Sequence, residues 1–158
     1  MRKTIILVLI ALVIGFAAGY VMAMAFYGYK IASGMFMLQE KEIFEMEEAA
    51  LQAYHNQPNE VAIWALENYI NTLNRVKEER SSAGVENPYF ILSPIQSLAF
   101  SHARIGQLYK KMGNVEKSKY HFEQAMSHIE NSRLKVIKTE ADLIDFINRL
   151  DQKLNKNK

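Results

Sequence analysis

Between Lys3 and Lys30 the chain carries no charged residue. The run opens with Ile5, Ile6, Leu7, Val8, Leu9 and Ile10 and stays largely apolar to Tyr29. Lipid offers no partner for a backbone amide or carbonyl, so a run of this kind satisfies its own hydrogen bonds as a helix. Residues 4 to 29 at about 1.5 Å per residue reach roughly 39 Å, against a hydrocarbon core of about 30 Å. The surplus is accommodated by tilt, or by Tyr27 and Tyr29 emerging at the interface where amphipathic aromatics sit. Residues 1–30 are therefore expected to form an N-terminal signal-anchor transmembrane helix.

Orientation follows from charge. Arg2, Lys3 and the α-amino group precede the span, while Lys30 and then Lys41 among several acids follow it. The excess of positive charge before the span predicts a cytoplasmic N-terminus. The expected location is the inner (cytoplasmic) membrane, single-pass, with the following domain periplasmic or extracytoplasmic. A competing expectation is a secretory signal cleaved after Ala25, because Ala23-Met24-Ala25 has the small-x-small form that signal peptidase accepts. The apolar region before it is longer than a signal usually carries, and the residues after it stay apolar, which favours an anchor. Within the span Ala11, Gly15, Gly19 and Ala23 recur every fourth residue. Such a stripe allows close helix approach, so it predicts pairing with a second copy, against an accidental arrangement of residues common in membrane helices.

The anchor also accounts for the chain's basic character. The whole sequence has 19 Lys and Arg against 17 Asp and Glu. Three of the basic residues, and no acid, lie in the first thirty, leaving 16 basic against 17 acidic beyond them. Nucleic-acid binding normally needs a positive surplus, because phosphate neutralisation drives affinity, so nucleic acid is disfavoured as a partner. Cysteine is absent, which excludes disulfides, thiolate metal sites and cysteine acylation.

Residues 31–155 predict an all-α domain of about five helices, since no stretch sustains the alternation of a strand. Helices are expected at about 35–57, 58–80, 93–112, 114–131 and 133–155, with a loop over 81–93 and a polar tail at 156–158. Ser93-Pro94-Ile95-Gln96 combines an N-cap, a first-position proline and a glutamine at the third, which predicts the start of the third helix. Gly113-Asn114 predicts the next helix boundary.

Little in the domain points to catalysis. His55, His102, His121 and His128 lack the spacings that set two ligands on one helical face, and are expected at the surface. Glu40, Glu42, Glu45, Glu47 and Glu48 are expected on a solvated helix face rather than in a cation loop. Trp64, at the edge of an apolar face, is expected in the core. There is no phosphate-binding glycine loop or nucleophile elbow. No catalytic residue, cofactor or metal is therefore expected. The apolar Tyr89, Phe90 and Ile91 in the expected loop are candidate partner contacts, with folding back over the helices as the alternative.

The third and fourth helices resemble a tetratricopeptide repeat. Gly106 and Tyr109 in one helix, then Ser118, Phe122 and Ala125 in the next, follow that family's order of small and large residues, with Gly113 in the turn. Residues 99–132 make one repeat. Ala50, Ala53, Ala62, Leu66 and Tyr69 make a degenerate one at about 43–76, and the last helix is similar to a cap. The resemblance implies paired antiparallel helices and a groove that takes a peptide. Matching positions in the groove are Phe100, Ala103, Gln107, Lys110 and Lys111, without the family's carboxylate clamp. The expected function is a membrane-anchored helical-repeat adaptor or scaffold in the bacterial envelope, binding another protein. The alternative is a helical sensory or ligand-binding domain, or a soluble periplasmic protein after signal cleavage.

Overall fold

A computed structural model describes the backbone at residues 2–82, 88–132, 134 and 136–156, and the side chains there except 2–14, 29, 31–32, 88–93 and 154–156. Among the described residues the chain is all-α: α1 (Arg2–Asn56), α2 (Asn59–Ser82), α3 (Pro88–Lys111), α4 (Val115–Glu130) and α5 (Glu140–Lys156). The chain divides into two compact units, Met1–Glu42 and Ile43–Lys158.

The first unit is helical throughout its described length. Phe16, Val21, Met22, Met24, Phe26 and Tyr27 are all exposed, and none of the most apolar window is buried within the protein. By length and composition this is a helix able to cross a membrane. The sequence predicts a separate anchor and a further helix from about residue 35, whereas α1 runs through both without interruption. Gly28 and Gly34 are the only weak points between them. A lone glycine costs a helix only about 1 kcal/mol relative to alanine, too little to break one that has no proline.

The second unit takes the last turns of α1, from Ile43, together with α2 to α5. Its first core layer joins Ala50 to Ile63, Leu66, Tyr69 and Leu73 of α2 and to Leu98, Ile105 and Leu108 of α3. The second joins Ala99 and Ala103 of α3 to Phe122, Ala125 and Ile129 of α4 and to Leu143 and Ile147 of α5. Helix α3 thus lies in the middle, packing against α2, α4 and α5. Its two faces carry different residues because Leu98, Ile105 and Leu108, at i, i+7 and i+10, are rotated about the helix from Ala99 and Ala103.

Two helix boundaries and the placement of Trp64 depart from the sequence expectation. Helix α3 begins at Pro88, so the second half of the expected loop 81–93 is helical, and Pro94 lies inside the helix. Pro88 is as good a first-turn residue as Pro94, and the apolar stretch between them continues the helix. Residues 83–87 lie outside the description. Helix α5 begins at Glu140 rather than near 133, because Thr139 and Asp142 cap it reciprocally. The Asp142 amide donates to Thr139 Oγ1 and the Thr139 amide donates to the Asp142 carboxylate. Ile137, just before that cap, is nevertheless buried. Trp64 is 65 % exposed rather than in the core. It sits between the buried Ile63 and Leu66 on α2, turned away from the stripe they form.

The α3–α4 hairpin is built on close approach. A Cβ at Gly106 would lie 3.1 Å from the Phe122 ring, and Ser118 Oγ donates to the Gly106 carbonyl at 2.9 Å. Gly113 closes the turn at φ +77°, a conformation that side chains resist. The Asn114 side chain then caps α4 by accepting from the Lys117 amide. A leucine at Gly106 has nowhere to go between the helices. Gly106→Leu is expected to lower unfolding free energy by about 1–3 kcal/mol in urea titrations. Gly113→Ala should be milder, its cost coming from φ alone.

Candidate functional site around Arg104

Arg104 faces inward from the middle of α3 and is 5 % exposed. A buried guanidinium needs a counter-charge, and α5 supplies it. Arg104 Nη2 donates to Asp151 Oδ1 at 2.6 Å, with both side chains buried. The guanidinium also lies 5.7 Å from the centre of the Tyr54 ring on α1. Tyr54 in turn donates its hydroxyl to Gln107 Oε1 at 3.1 Å. One residue of α3 therefore engages α1 and α5 together.

On its other side Arg104 lines a small, largely enclosed cavity with Glu47, Tyr69, Ser97 and Ser101. Burial raises the Glu47 carboxyl above its usual range, with the Arg104 charge and a Tyr69 hydroxyl opposing that shift. Burial and the neighbouring Glu47 charge push the Tyr69 phenol up, so it stays protonated. Glu47 is half-buried here, unlike Glu40, Glu42, Glu45 and Glu48, which are exposed as the sequence predicts for all five.

The histidines are a second correction. His55 is exposed, but His102, His121 and His128 are buried or half-buried along the α3–α4 seam. The rings form a column in the order Tyr109, His121, His102, His128, with centroids 5.3 to 5.7 Å apart. His102 and His121 bring their Nδ1 atoms to 3.1 Å, where one neutral ring donates to the other. Positions 19 apart in sequence meet only because the two helices run antiparallel, so spacing within one helix could not reveal them. Burial and the neighbouring histidines push His102 down to about 4, and burial lowers His121 and His128, with Lys117 and Lys77 adding to the effect. Among the described residues no three His, Cys, Asp or Glu side chains are placed to hold a metal ion.

The expected contact residues separate on inspection. Ala103 is fully buried in the second core layer rather than in a groove. Phe100 packs against that layer with its ring 5.5 Å from Phe146. Gln107 is tied to Tyr54, while Lys110 and Lys111 are exposed at the end of α3. Lys110 lies 3.8 Å from Glu140, and Lys111 5.9 Å from the Tyr54 ring. The side chains of Tyr89, Phe90 and Ile91 lie outside the described residues, as does that of Ala11. Gly15 and Gly19 have open space where a Cβ would be, and Ala23 is exposed. The residues missed from sequence are Arg104 and Asp151. The signal was a lone charge of opposite sign within the apolar stripe of each helix, Leu98–Ile105–Leu108 and Leu143–Ile147.

Comparison with family models, curated proteins and solved structures finds no match to this chain.

The ion pair and the imidazole column each give a measurable consequence. Asp151→Ala leaves Arg104 buried without its counter-charge and is expected to cost about 3–5 kcal/mol in urea unfolding. Arg104→Met combined with Asp151→Leu should recover most of that loss. For the histidines the folded state holds the proton less tightly than the unfolded chain, so their contribution is intact above about pH 6.5. It is lost as pH falls from there towards 4. Glu47 acts in the opposite sense, its raised carboxyl favouring the folded state as pH falls. Comparing the melting temperature of wild type with His102→Gln across this window isolates the histidine part. The variant should show the shallower acid slope.

Proposed function

We propose that this chain is a membrane-anchored helical adaptor or scaffold that holds a small interaction domain at the extracytoplasmic face of a bacterial inner membrane. The observation that carries the reading is the fully exposed apolar helix of the first unit, joined in sequence to a separately cored second unit. Apolar side chains such as Phe16, Met22 and Phe26, exposed on every side of one helix, need a non-aqueous surrounding. The uninterrupted α1 through Ala25 and Phe26 supports a retained anchor. Arg2 and Lys3 before the span support a cytoplasmic N-terminus.

The adaptor part of the reading rests on the helix pairing and on the size of the cavity at Arg104. The polar groups converge on an enclosed cavity of about 10 Å³ rather than an open cleft, which leaves no room for an organic substrate beside Arg104. The Gly106–Phe122 approach and the Ser118 bond to the Gly106 carbonyl are consistent with a tetratricopeptide-like pairing of α3 and α4. A partner protein would then meet Lys110 and Lys111 at the end of α3.

Membrane fractions washed with alkaline carbonate test the anchor: the chain should stay in the pellet, with an intact N-terminus by mass spectrometry. A mature chain that begins at Phe26 and appears in the soluble fraction removes the proposal. A C-terminal reporter active only outside the cytoplasm checks orientation. Photo-crosslinkers at Lys110 and Lys111 should capture one defined protein; a small molecule that raises the melting temperature without any captured protein favours the sensory alternative.

A further inference from the structure

We propose that the cavity beneath Arg104 is a binding site for one internal water molecule, which joins α1, α2 and α3 through Arg104 Nε, the Tyr69 hydroxyl and the Glu47 carboxyl. The inference is independent of the membrane reading. Three observations on the second unit carry it. The first is size: the cavity holds about 10 Å³, close to the least volume that admits a single water and far below any organic ligand.

The second is the state of its lining. Arg104 Nε is buried without a protein hydrogen bond, and the buried Tyr69 hydroxyl approaches Glu47 and Ser97 without closing a hydrogen bond of good geometry. Arg104 spends Nη2 on Asp151, and its Nε–H is a separate donor without a protein acceptor. Tyr69 is 2 % exposed. A buried donor left without a partner costs about 1–3 kcal/mol, and two such groups on one small cavity call for a shared acceptor.

The third is the balance of donors and acceptors. Arg104 Nε only donates, Glu47 accepts while ionised, and Tyr69, Ser97 and Ser101 can do either. A water fits this set because it gives two hydrogens and takes two. A small anion would satisfy Arg104 but would meet the Glu47 carboxylate at close range. A cation would meet Arg104. Charge therefore excludes ions of either sign, and the neutral dipole remains.

The position gives the water a structural consequence. Glu47 belongs to the last turns of α1, Tyr69 to α2 and Arg104 to α3. Apolar contacts alone tolerate sliding of one helix along another, whereas a three-way polar link is directional. The water would fix the register in which the end of α1 docks on α2 and α3.

The test uses the full chain purified in detergent. In crystals that resolve ordered solvent, one peak is expected at about 2.7–3.2 Å from both Arg104 Nε and Tyr69 Oη. Direct bonding of Arg104 Nε to a protein atom, with no peak, overturns the proposal. A double-mutant cycle reads the same site in solution. Ser101→Val fills the cavity and removes a hydroxyl, so it should lower the melting temperature in wild type. It should lower it much less in a Tyr69→Phe background, where one of the water's partners is already gone. Additive effects, or a rise on filling, mean a dry cavity and overturn the water. Exchanging chloride for gluconate should leave the wild-type melting temperature unchanged. A fall would assign the site to an anion instead.

Discussion

The guanidinium of Arg104 ties α3 to both α1 and α5 in the second unit. A charge at that depth is tolerated only where the surrounding helices deliver partners to it, and they come from three directions. Asp151 of α5 balances the charge, the Tyr54 ring of α1 lies over the guanidinium, and Glu47 and Tyr69 share a small cavity with it. Buried ion pairs of this sort contribute little net stability compared with apolar residues of the same shape. What they contribute is discrimination. A helix arrangement that separates Arg104 from Asp151 leaves two buried charges apart, so competing packings of the same apolar faces are penalised. In a small domain whose core is made of interchangeable Leu, Ile and Ala, that penalty selects one arrangement.

The seam between α3 and α4 works by a different principle. There the helices meet through absence of bulk, with Gly106 under Phe122 and Ser118 bonded back to the Gly106 carbonyl. Close approach brings His102, His121 and His128 into one column and strips them of water, which is why their protons are held loosely. The column is also a liability, since Lys117 and Lys77 stand near His121 and His128 and disfavour a further positive charge. An acid environment charges the imidazoles with little to compensate them.

Much of the architecture could be read from residue order. The all-α class follows from period and from the lack of strand alternation, and the boundary at Gly113-Asn114 follows from turn chemistry that depends on neighbours in sequence. The small residue at Gly106 and the ring at Phe122 are expected from the resemblance to a tetratricopeptide repeat, and the two do meet. Other features could not be read this way. Spacing placed a helix start at Pro94 when Pro88 satisfies the same rule, and apolar content placed a helix at 133 where the Thr139–Asp142 cap delays it to 140. Size and apolarity make Trp64 read as a core residue, but the face that α2 buries is fixed by the helices packed against it.

The sequence by itself determined the uncharged apolar span, the helical class, and the charge asymmetry about the first thirty residues. These depend on solvation and on local backbone preference, which act over a few residues. Tertiary structure alone decided the partnership of Arg104 with Asp151, the column of histidines, and the inward turn of Glu47. Each joins residues from different helices, and no local rule fixes which faces of two helices will meet. That choice belongs to the packing of the whole unit, because only there is the cost of an unpaired buried charge felt.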